Sequence, residues 1–386
     1  MVSVDIHPQN PPQFLDLRLF DLAPNAVHSR HTVDIFGRAH SRISFHDSSA
    51  QLIMTSALQL EFLDLRHFSA QHLRPLLDEE SALWSQRLHW DYRSSASLVL
   101  QYIESHLLSG YAALDQGRVC GYIFCVYETN KAVIGDVFAS RLGVDESAAV
   151  AVELQLIDRL LETLQHSPDL TRVEAQLLLH PHGLHREPFE RAGFQLYPRL
   201  FMELELNPPE PSDSTPAVRP DEFEGPGGGH YRRWKNSDFE LSPRLITASY
   251  AGHIDSEIND QYLSPGGAQR FLHNVVRFPG CGIFEEQASW VLAAPYDERL
   301  FGLLLCSRVS AVVGHVTQVC ILPEFQRRGV GEKLLHLCAA SLQANGCNAV
   351  TLTVTERNTS AVSLYRHLSY HVQYRFDAML WEKRWH

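Results

Sequence analysis

The chain lacks the long hydrophobic runs of a membrane protein and the paired cysteines of a zinc or disulfide site. No segment approaches the roughly 20 apolar residues that a membrane helix needs. The first 30 residues have no basic region leading into an apolar one, so we expect no secretory signal. The seven cysteines are scattered over 386 residues and never spaced as CxxC. This usage predicts reduced thiols in a cytoplasmic protein, with no bound metal.

Basic charge is also in short supply. The sequence has 33 lysines and arginines against 45 acidic residues, a net charge of −12 with histidine neutral. A net negative charge argues against a protein that binds nucleic acid or an anionic membrane over its whole surface. We therefore expect neither as a partner. Hydrophobic residues make up 45% and charged residues 20%, which is typical of a globular protein. One local basic pocket remains compatible with these numbers.

Composition divides the chain into four segments. Residues 1–56 mix proline, histidine and serine without sustained periodicity, which predicts a weakly ordered extension. Residues 207–229 contain six prolines and four glycines, which predicts a solvated linker. Two blocks of similar length remain, 57–206 and 230–386, and we predict that each is a domain.

The two blocks resemble each other, which indicates a duplicated domain. Each has an apolar strand, a long helix, another strand, a short helix and a closing strand. The predicted ranges are 132–139, 147–166, 172–179, 189–194 and 200–206 in the first half, and 312–321, 330–344, 348–354, 365–370 and 374–381 in the second. Strands that alternate with helices after a hairpin-rich start predict an α/β fold. We expect two tandem domains, each with a mixed, mostly antiparallel sheet and helices on both faces.

The most informative segment is a basic turn between a strand and a helix in the second half. It reads Gln326-Arg327-Arg328-Gly329-Val330-Gly331. Helix N-termini present unpaired N–H groups and a partial positive charge, so they bind phosphate groups. The two glycines let the backbone approach a pyrophosphate closely, and the two arginines add positive charge. The turn is neither a dinucleotide-binding GxGxxG nor a P-loop, because GxxxxGK[ST] is absent.

This turn resembles the acetyl-CoA signature Q/R-x-x-G-x-G/A of the GNAT N-acetyltransferase superfamily. The match extends to residues 358–365, Asn-Thr-Ser-Ala-Val-Ser-Leu-Tyr, which resemble the family's N-x-x-A-x-x-L-Y helix. Together the two motifs cover about the last 70 residues. One departure is Ser369-Tyr370, where the family usually has Gly-Phe. The resemblance implies a GNAT domain in the second half that uses acetyl-CoA as a cosubstrate.

The resemblance also implies roles for particular residues. The acyl group would pass directly from acetyl-CoA to an amine, with the Tyr365 hydroxyl as general acid at the departing sulfur. A phenol of pKa about 10 can protonate a departing thiolate of pKa about 8.5, since the transfer is uphill by only about 1.5 pKa units. The expected cofactor-binding residues are the pantetheine strand, the pyrophosphate turn and one asparagine: Val319, Cys320, Ile321, Gln326, Arg327, Arg328, Gly329, Val330, Gly331, Glu332 and Asn358.

A general base is harder to identify. Some members of the family place a carboxylate eleven residues before the signature, and His315 occupies that position here. An imidazole of pKa about 6.5 suits the deprotonation of an amine. The alternative is an ordinary strand histidine. If the acceptor is an α-amine of pKa about 7.7–8.0, a strong base is scarcely needed.

The first half has the repeated strands and helices but lacks the residues expected to bind the cofactor and donate the proton. Its counterpart of the glycine turn falls near residues 148–153, Ala-Ala-Val-Ala-Val-Glu, which have neither glycine nor arginine. The counterpart of Tyr365 is Phe189, which has no proton to donate. We therefore predict a degenerate GNAT-like domain that forms one wall of the acceptor site.

Three further features have alternative interpretations. His180, His182 and His185 have a spacing that a metal could use, but a solvated loop is the favoured interpretation. Residues 253–262 are rich in acids that could attract a cationic amine, or they form a solvated helix face. Cys320 lies on the pantetheine strand, where an inert packing role is favoured over a nucleophilic one.

The sequence thus predicts an acyl-CoA-dependent N-acyltransferase, with acetyl-CoA as the expected donor. The alternative is a non-catalytic acyl-CoA-binding regulator, although binding alone would need no acid at Tyr365. The acceptor is expected to be a small-molecule or peptide amine, and an acyl chain longer than acetyl stays open. We expect a monomer or a homodimer.

Overall fold

The computed structural model of the chain describes residues 60–207, 222–277, 282–296 and 299–383. The predicted N-terminal extension, 1–56, lies outside the described residues, as does most of the predicted linker. In the described part no helix is both long and apolar enough to cross a membrane. The six cysteines that fall in it are all free thiols.

The described residues form fourteen strands and nine α-helices. The strands are β1 Leu60–Asp64, β2 Ser109–Asp115, β3 Arg118–Glu128, β4 Lys131–Ala139, β5 Arg172–Gln176, β6 Gln195–Glu205, β7 Glu222–Glu224, β8 His230–Arg233, β9 Ile283–Phe284, β10 Trp290–Ala293, β11 Leu300–Arg308, β12 Val313–Ile321, β13 Ala349–Thr355 and β14 His371–Glu382. The helices are α1 Ala70–Leu88, α2 Arg93–Glu104, α3 Glu146–Gln165, α4 Arg186–Arg191, α5 Asp238–Ser249, α6 Ile254–Ile258, α7 Pro265–Val276, α8 Val330–Ala344 and α9 Thr359–His367. The predicted repeat of strands and helices is confirmed element by element.

All fourteen strands belong to one sheet, and the two halves exchange their closing strands. The order is β1-β2-β3-β4-β5-β14-β6-β13-β12-β11-β10-β8-β7, with β9 paired to β11. Strand β14, from the second half, therefore lies between β5 and β6, and β6, from the first half, lies beside β13. Most neighbours are antiparallel, while β4–β5 and β12–β13 are parallel. The mixed, mostly antiparallel sheet flanked by helices is as expected.

Two features of the sheet bear on the domain boundaries that the sequence predicts. The first half ends on a strand that pairs along its whole length with elements of the second half. In addition, residues 222–224, which were assigned to the linker, form β7 and pair with β8 at the sheet edge. The composition of residues 207–229 does not show that three of them pair at a sheet edge, so the sequence predicts a linker over the whole segment.

The internal repeat is visible in details of the backbone. The N–H of Phe194 donates to the carbonyl of Phe189, and the N–H of Tyr370 donates in the same way to Tyr365, both at 2.9 Å. Ser369 has φ 68°, the left-handed conformation that favours glycine. Gly193, its counterpart in the first half, has φ 79°. The departure from the family's Gly-Phe pattern therefore keeps the turn geometry with a serine.

Helices cover the two faces of the second half's sheet. Helix α8 lies on one face, where Leu342 fills the space beside Gly314. Helices α5 and α7 cover the other face and enclose an apolar cluster with Cys320. Helices α1 and α2 of the first half pack in a cluster that also includes Val313 and Ala349 of the second half. The strand β12 is thus enclosed on both faces for most of its length.

Candidate active site

A cleft opens where the two parallel strands of the second half separate. Strands β12 and β13 pair only over Val313–Val316 and Ala349–Leu352. Beyond Thr317, where the β11–β12 register shifts, β12 continues to Ile321 along β11 alone. The predicted pantetheine residues Val319, Cys320 and Ile321 lie on this segment. Its edge toward β13 makes no ladder bonds in the described structure, so it can accept an extended chain as an added strand.

The predicted pyrophosphate turn joins β12 to α8. Gly329 is the N-cap of α8 with φ 75°, and no side chain caps the helix. The first-turn N–H groups are therefore left for a ligand. A Cβ on Gly331 would lie 3.1 Å from Cδ1 of Ile321, which explains the need for glycine there. Gln326 donates from Nε2 to the carbonyl of Ile321 at 3.1 Å and ties the turn to the strand.

The arginines of the turn are available to an anion. Arg327 and Arg328 are exposed, and no ion pair among the described residues includes either of them. The guanidinium of Arg328 lies 5.5 Å from the ring centroid of Phe325. Glu332 follows in the first helical turn, 3.8 Å from His336. Two unpaired cations beside an uncapped helix N-terminus fit a pyrophosphate.

Helix α9 brings Tyr365 to the other side of the cleft. Tyr365 is buried, and its side chain belongs to the same core cluster as α8. Burial raises the pKa of Tyr365, the carboxylate of Asp255 raises it further, and Arg199 opposes both. The phenol therefore stays protonated at neutral pH.

Asn358 caps α9 and connects it to the opposite wall. Its Oδ1 accepts from the N–H of Ala361 at 3.2 Å. Because that oxygen is occupied, Nδ2 donates to Nε2 of His253, also at 3.2 Å. His253 is in turn the N-cap of α6. Asn358 therefore fixes the position of α9 relative to α6, and its side chain is engaged by protein groups.

Helix α5 supplies aromatic groups to the face opposite α8. A buried ion pair between Arg232 and Asp238, at 2.7 and 2.8 Å, fixes the start of this helix. At its end, the Tyr250 hydroxyl donates to Oε1 of Gln318 on β12 at 2.6 Å. Tyr262 stacks on Tyr250 with ring centroids 4.3 Å apart. The Nε2 of Gln318 is buried and lacks an acceptor among the described residues.

Asp255 is the carboxylate of this face. Its Oδ1 accepts a short hydrogen bond from the Thr355 hydroxyl at the end of β13. Its Oδ2 lies 3.5 Å from Nδ1 of His253. The acidic segment 253–262 was singled out as a candidate acceptor entrance. The structure brings its Asp255, with Tyr250 and Tyr262, beside the cleft.

Arg199 enters the same region from the first half. It lies on β6 with its Cα opposite Thr355 of β13. Nη1 donates to Oε1 of Gln176 at 3.0 Å, and Nη2 lies 3.5 Å from Oγ1 of Thr353. Sequence reasoning missed Arg199, Tyr250 and Gln318. Nothing in the sequence marked Arg199, because its place depends on the strand exchange.

His315 lies deeper, beneath the cleft. It is buried, and Nδ1 is 2.9 Å from Oγ1 of Thr351. The ring is 4.9 Å from Trp90 and 6.0 Å from Phe201, measured between centroids. Burial, assisted by the charge of Arg199, lowers the pKa of His315 to about 3. A neutral imidazole held in this way is a weak base, and its surroundings favour a packing role. The base assignment stays a prediction.

The side chain of Cys320 also lies in an apolar environment. It packs in the cluster of α5 and α7, and burial raises the pKa of its thiol to about 12. A protonated thiol is a poor nucleophile, which favours the packing interpretation.

The corresponding cleft of the first half is filled by side chains. Gly121 packs against Val152 and Leu156 of α3 as Gly302 packs against Val330 and Leu334 of α8. Glu153 therefore stands where the second half has Gly331. Helix α3 begins at Glu146, seven residues before Glu153. Its N-cap Asp145 accepts a hydrogen bond from the N–H of Ala148 at 2.8 Å. The phosphate-binding features of α8 are thus absent from α3.

The carboxylate of Glu153 is held from three sides. Arg141 lies 2.7 Å from Oε1, the N–H of Ala139 is 3.1 Å from the same oxygen, and Nε2 of His185 is 3.0 Å from Oε2. Burial opposes ionisation, but His180, His185 and Arg141 lower the pKa of Glu153 to about 2. The side chain of glutamate therefore occupies the first half's cleft as a stable anion.

The prediction that the histidine loop is solvated is wrong for two of its members. His180 and His185 are buried, and Nε2 of His180 lies 2.8 Å from the carbonyl of Val137 on β4. Burial of the loop against α3 depends on Glu153, which the sequence does not connect to it. The ligand atoms of Glu153, His180 and His185 lie within 4.8 Å of one another, close enough for a metal ion. The expectation of no metal stays a prediction.

Comparison with known proteins gives the same family as the motifs. Residues 257–370 match the model of the Acetyltransferase (GNAT) family. A GCN5-related N-acetyltransferase from Sphaerobacter thermophilus superposes with a TM-score of 0.55 at 14% identity, over 84% of this chain and 95% of that one. The glucosamine N-acetyltransferase region of a fungal multi-domain β-N-acetylglucosaminidase gives 0.53 at 14% identity, over 85% of this chain and 38% of that one. At this identity the two structures establish the fold alone.

Proposed function

Since residues 257–370 match the model of the Acetyltransferase (GNAT) family, we propose that the chain is an acyl-CoA-dependent N-acyltransferase. The observation that supports this most directly is the conjunction of the uncapped α8 N-terminus with the separated strands β12 and β13. The turn suits the pyrophosphate of the donor. The open edge of β12 suits its pantetheine arm, and Tyr365 on α9 is the proposed acid at the thioester end of that arm. Acetyl-CoA is the proposed donor.

The proposed reaction is direct transfer to an amine that enters from the face of α5, α6 and α7. The amine nitrogen attacks the thioester carbon, the carbon–sulfur bond breaks, and Tyr365 protonates the departing thiolate. The raised pKa of the buried phenol keeps that proton available at neutral pH. Asp255, which accepts a hydrogen bond from Thr355 at the end of β13, is the proposed carboxylate that holds the amine in place.

Replacement of Tyr365 by phenylalanine tests the proposal. Loss of a general acid lowers turnover by about 10²–10⁴-fold. We expect the Tyr365→Phe protein to show a loss of kcat in this range, with the dissociation constant of CoA unchanged within about twofold. Thiol release with a panel of amines gives kcat, and calorimetry gives the affinity.

Phe189 offers a matched control, because it is the repeat counterpart of Tyr365 in the filled half. Phe189→Leu keeps an apolar side chain there and is expected to leave CoA affinity and kcat near wild type. Saturable CoA binding by the wild-type protein without turnover on any amine would contradict the enzyme proposal. That result would support a CoA-binding regulator instead.

A further inference from the structure

Arg199 is a cation without an anionic partner at the centre of the candidate site. Its side chain is partly buried, its guanidinium lies next to the neutral oxygens of Gln176 and Thr353, and the ring centroid of Phe376 is 6.0 Å away. Nε is fully buried with no acceptor in the described structure. No ion pair among the described residues includes Arg199. A guanidinium never loses its charge, and burial without a counterion is costly, so this arrangement calls for an anionic ligand.

A carboxylate that pairs with no lysine or arginine among the described residues lies on the same face, with Nδ1 of His253 3.5 Å from its Oδ2. Asp255 is bound to Thr355, whose Cα is directly opposite that of Arg199 across the β6–β13 pair. Directly opposed side chains in an antiparallel pair start about 5 Å apart. Asp255 and Arg199 nevertheless form no ion pair, and both act electrostatically on the Tyr365 hydroxyl. A separated anion and cation therefore flank the reaction centre.

We propose that the acceptor is an amino acid, whose carboxylate binds Arg199 and whose ammonium group binds Asp255. This inference rests on the proposed acyltransferase function and gives its acceptor a chemical class. The bidentate geometry of a guanidinium matches a carboxylate. The pyrophosphate of the donor has its own cations, Arg327 and Arg328, next to α8 on the opposite face of the sheet.

The reaction balances with these groups. The ammonium bound at Asp255 first releases one proton to solvent. The amine nitrogen then bonds to the acyl carbon, and the carbon–sulfur bond breaks as the thiolate takes the Tyr365 proton. The nitrogen gives up its surplus proton, which restores the phenol. The products are an N-acyl amino acid and free CoA thiol, with one proton released.

Matched acceptors test the role of the carboxylate. The twenty L-amino acids would each be compared with the corresponding α-amide and decarboxylated amine, at saturating acetyl-CoA. A buried charge that loses its partner penalises the analogue strongly. For the wild-type protein we expect kcat/KM for the preferred amino acid to exceed that of its amide by at least about 100-fold.

Arg199→Gln should remove this preference. We expect the ratio of kcat/KM between the amino acid and its amide to fall about 100-fold, mainly through a rise in the KM of the amino acid. Arg199→Lys keeps the charge and should restore part of the affinity. The matched control is Arg375→Gln, since residue 375 is the repeat counterpart at an offset of 176. Arg375 is exposed and paired with Glu356, so its replacement should change neither the KM of the amino acid nor the ratio of kcat/KM between the amino acid and its amide.

The outcomes separate this proposal from the enzyme proposal. Equal use of amides and amino acids by the wild type, or an equal loss on all acceptors in Arg199→Gln, would overturn the amino-acid assignment and leave acyl transfer standing. If no acceptor releases thiol, the panel is repeated as a thermal-shift binding assay with CoA present. Stabilisation by amino acids but not amides, lost in Arg199→Gln, supports the assignment without turnover. The absence of any such stabilisation refutes it.

Discussion

At the scale of single residues, burial has changed the chemistry of side chains that the sequence presents as reactive. His315 stands at the position of a base, yet the rings of Trp90 and Phe201 surround it. Cys320 stands on the pantetheine strand, yet it is a protonated packing thiol. Position along a motif identified both residues, but their protonation depends on partners distant in the sequence.

The pH dependence of stability reports on His315. Its pKa is near 6.5 when unfolded and about 3 when folded. The unfolded chain therefore binds the extra proton first, and stability is lost as the pH falls from 6.5 toward 3. The loss from this one group approaches about 1.4 kcal/mol per pH unit. We expect His315→Gln to flatten the decline between pH 6 and pH 4, measured by urea unfolding.

The exposed His336 provides the control for this experiment, since His336→Gln should leave the pH profile of stability as in the wild type. The same His315→Gln protein tests the base assignment. A packing role predicts an unaltered acidic limb of kcat/KM, whereas a catalytic base predicts the loss of that limb.

At the scale of elements, the two copies of the strand–turn–helix unit differ in the start of the helix, in its cap and in the residue at the position of Gly331. Gly331 leaves the cleft open in the second half, and Glu153 fills it in the first. The sequence located both the turn and its missing counterpart, because glycine, arginine and helix periodicity are local signals. It could not show that Glu153 reaches His185, because that contact joins α3 to a loop 32 residues away.

Transfer of this glutamate tests the interpretation. We expect Gly331→Glu to weaken CoA binding at least about 100-fold, because the carboxylate adds bulk and negative charge at the first turn of α8. Calorimetry with CoA measures the effect. Gly331→Ala is the matched control: it adds only the Cβ near Ile321 and should cost less than about tenfold. Equal affinities for the two variants would contradict the charge-based explanation.

At the scale of the whole molecule, the exchange of β6 and β14 makes the two halves one folding unit. Both strands contain a run of apolar residues that fits a buried position in either sheet, so the sequence assigns each strand to its own half. Pairing partners distant in the chain leave no local signal. The candidate site depends on the exchange, because β6 carries Arg199 to a position beside β13.

The exchange predicts that damage to β14 destabilises both halves together. Phe376 is fully buried in β14, in a cluster that includes Leu179 of the first half and Val313 of the second. Phe376→Ala should cost about 3–5 kcal/mol of unfolding free energy. Because the sheet is continuous, hydrogen exchange measured by mass spectrometry should accelerate in β3 and in β12 alike. Val372→Ala, at an exposed position of the same strand, should leave both protected. Faster exchange confined to one half in Phe376→Ala would instead mean that the halves unfold independently despite their shared strands.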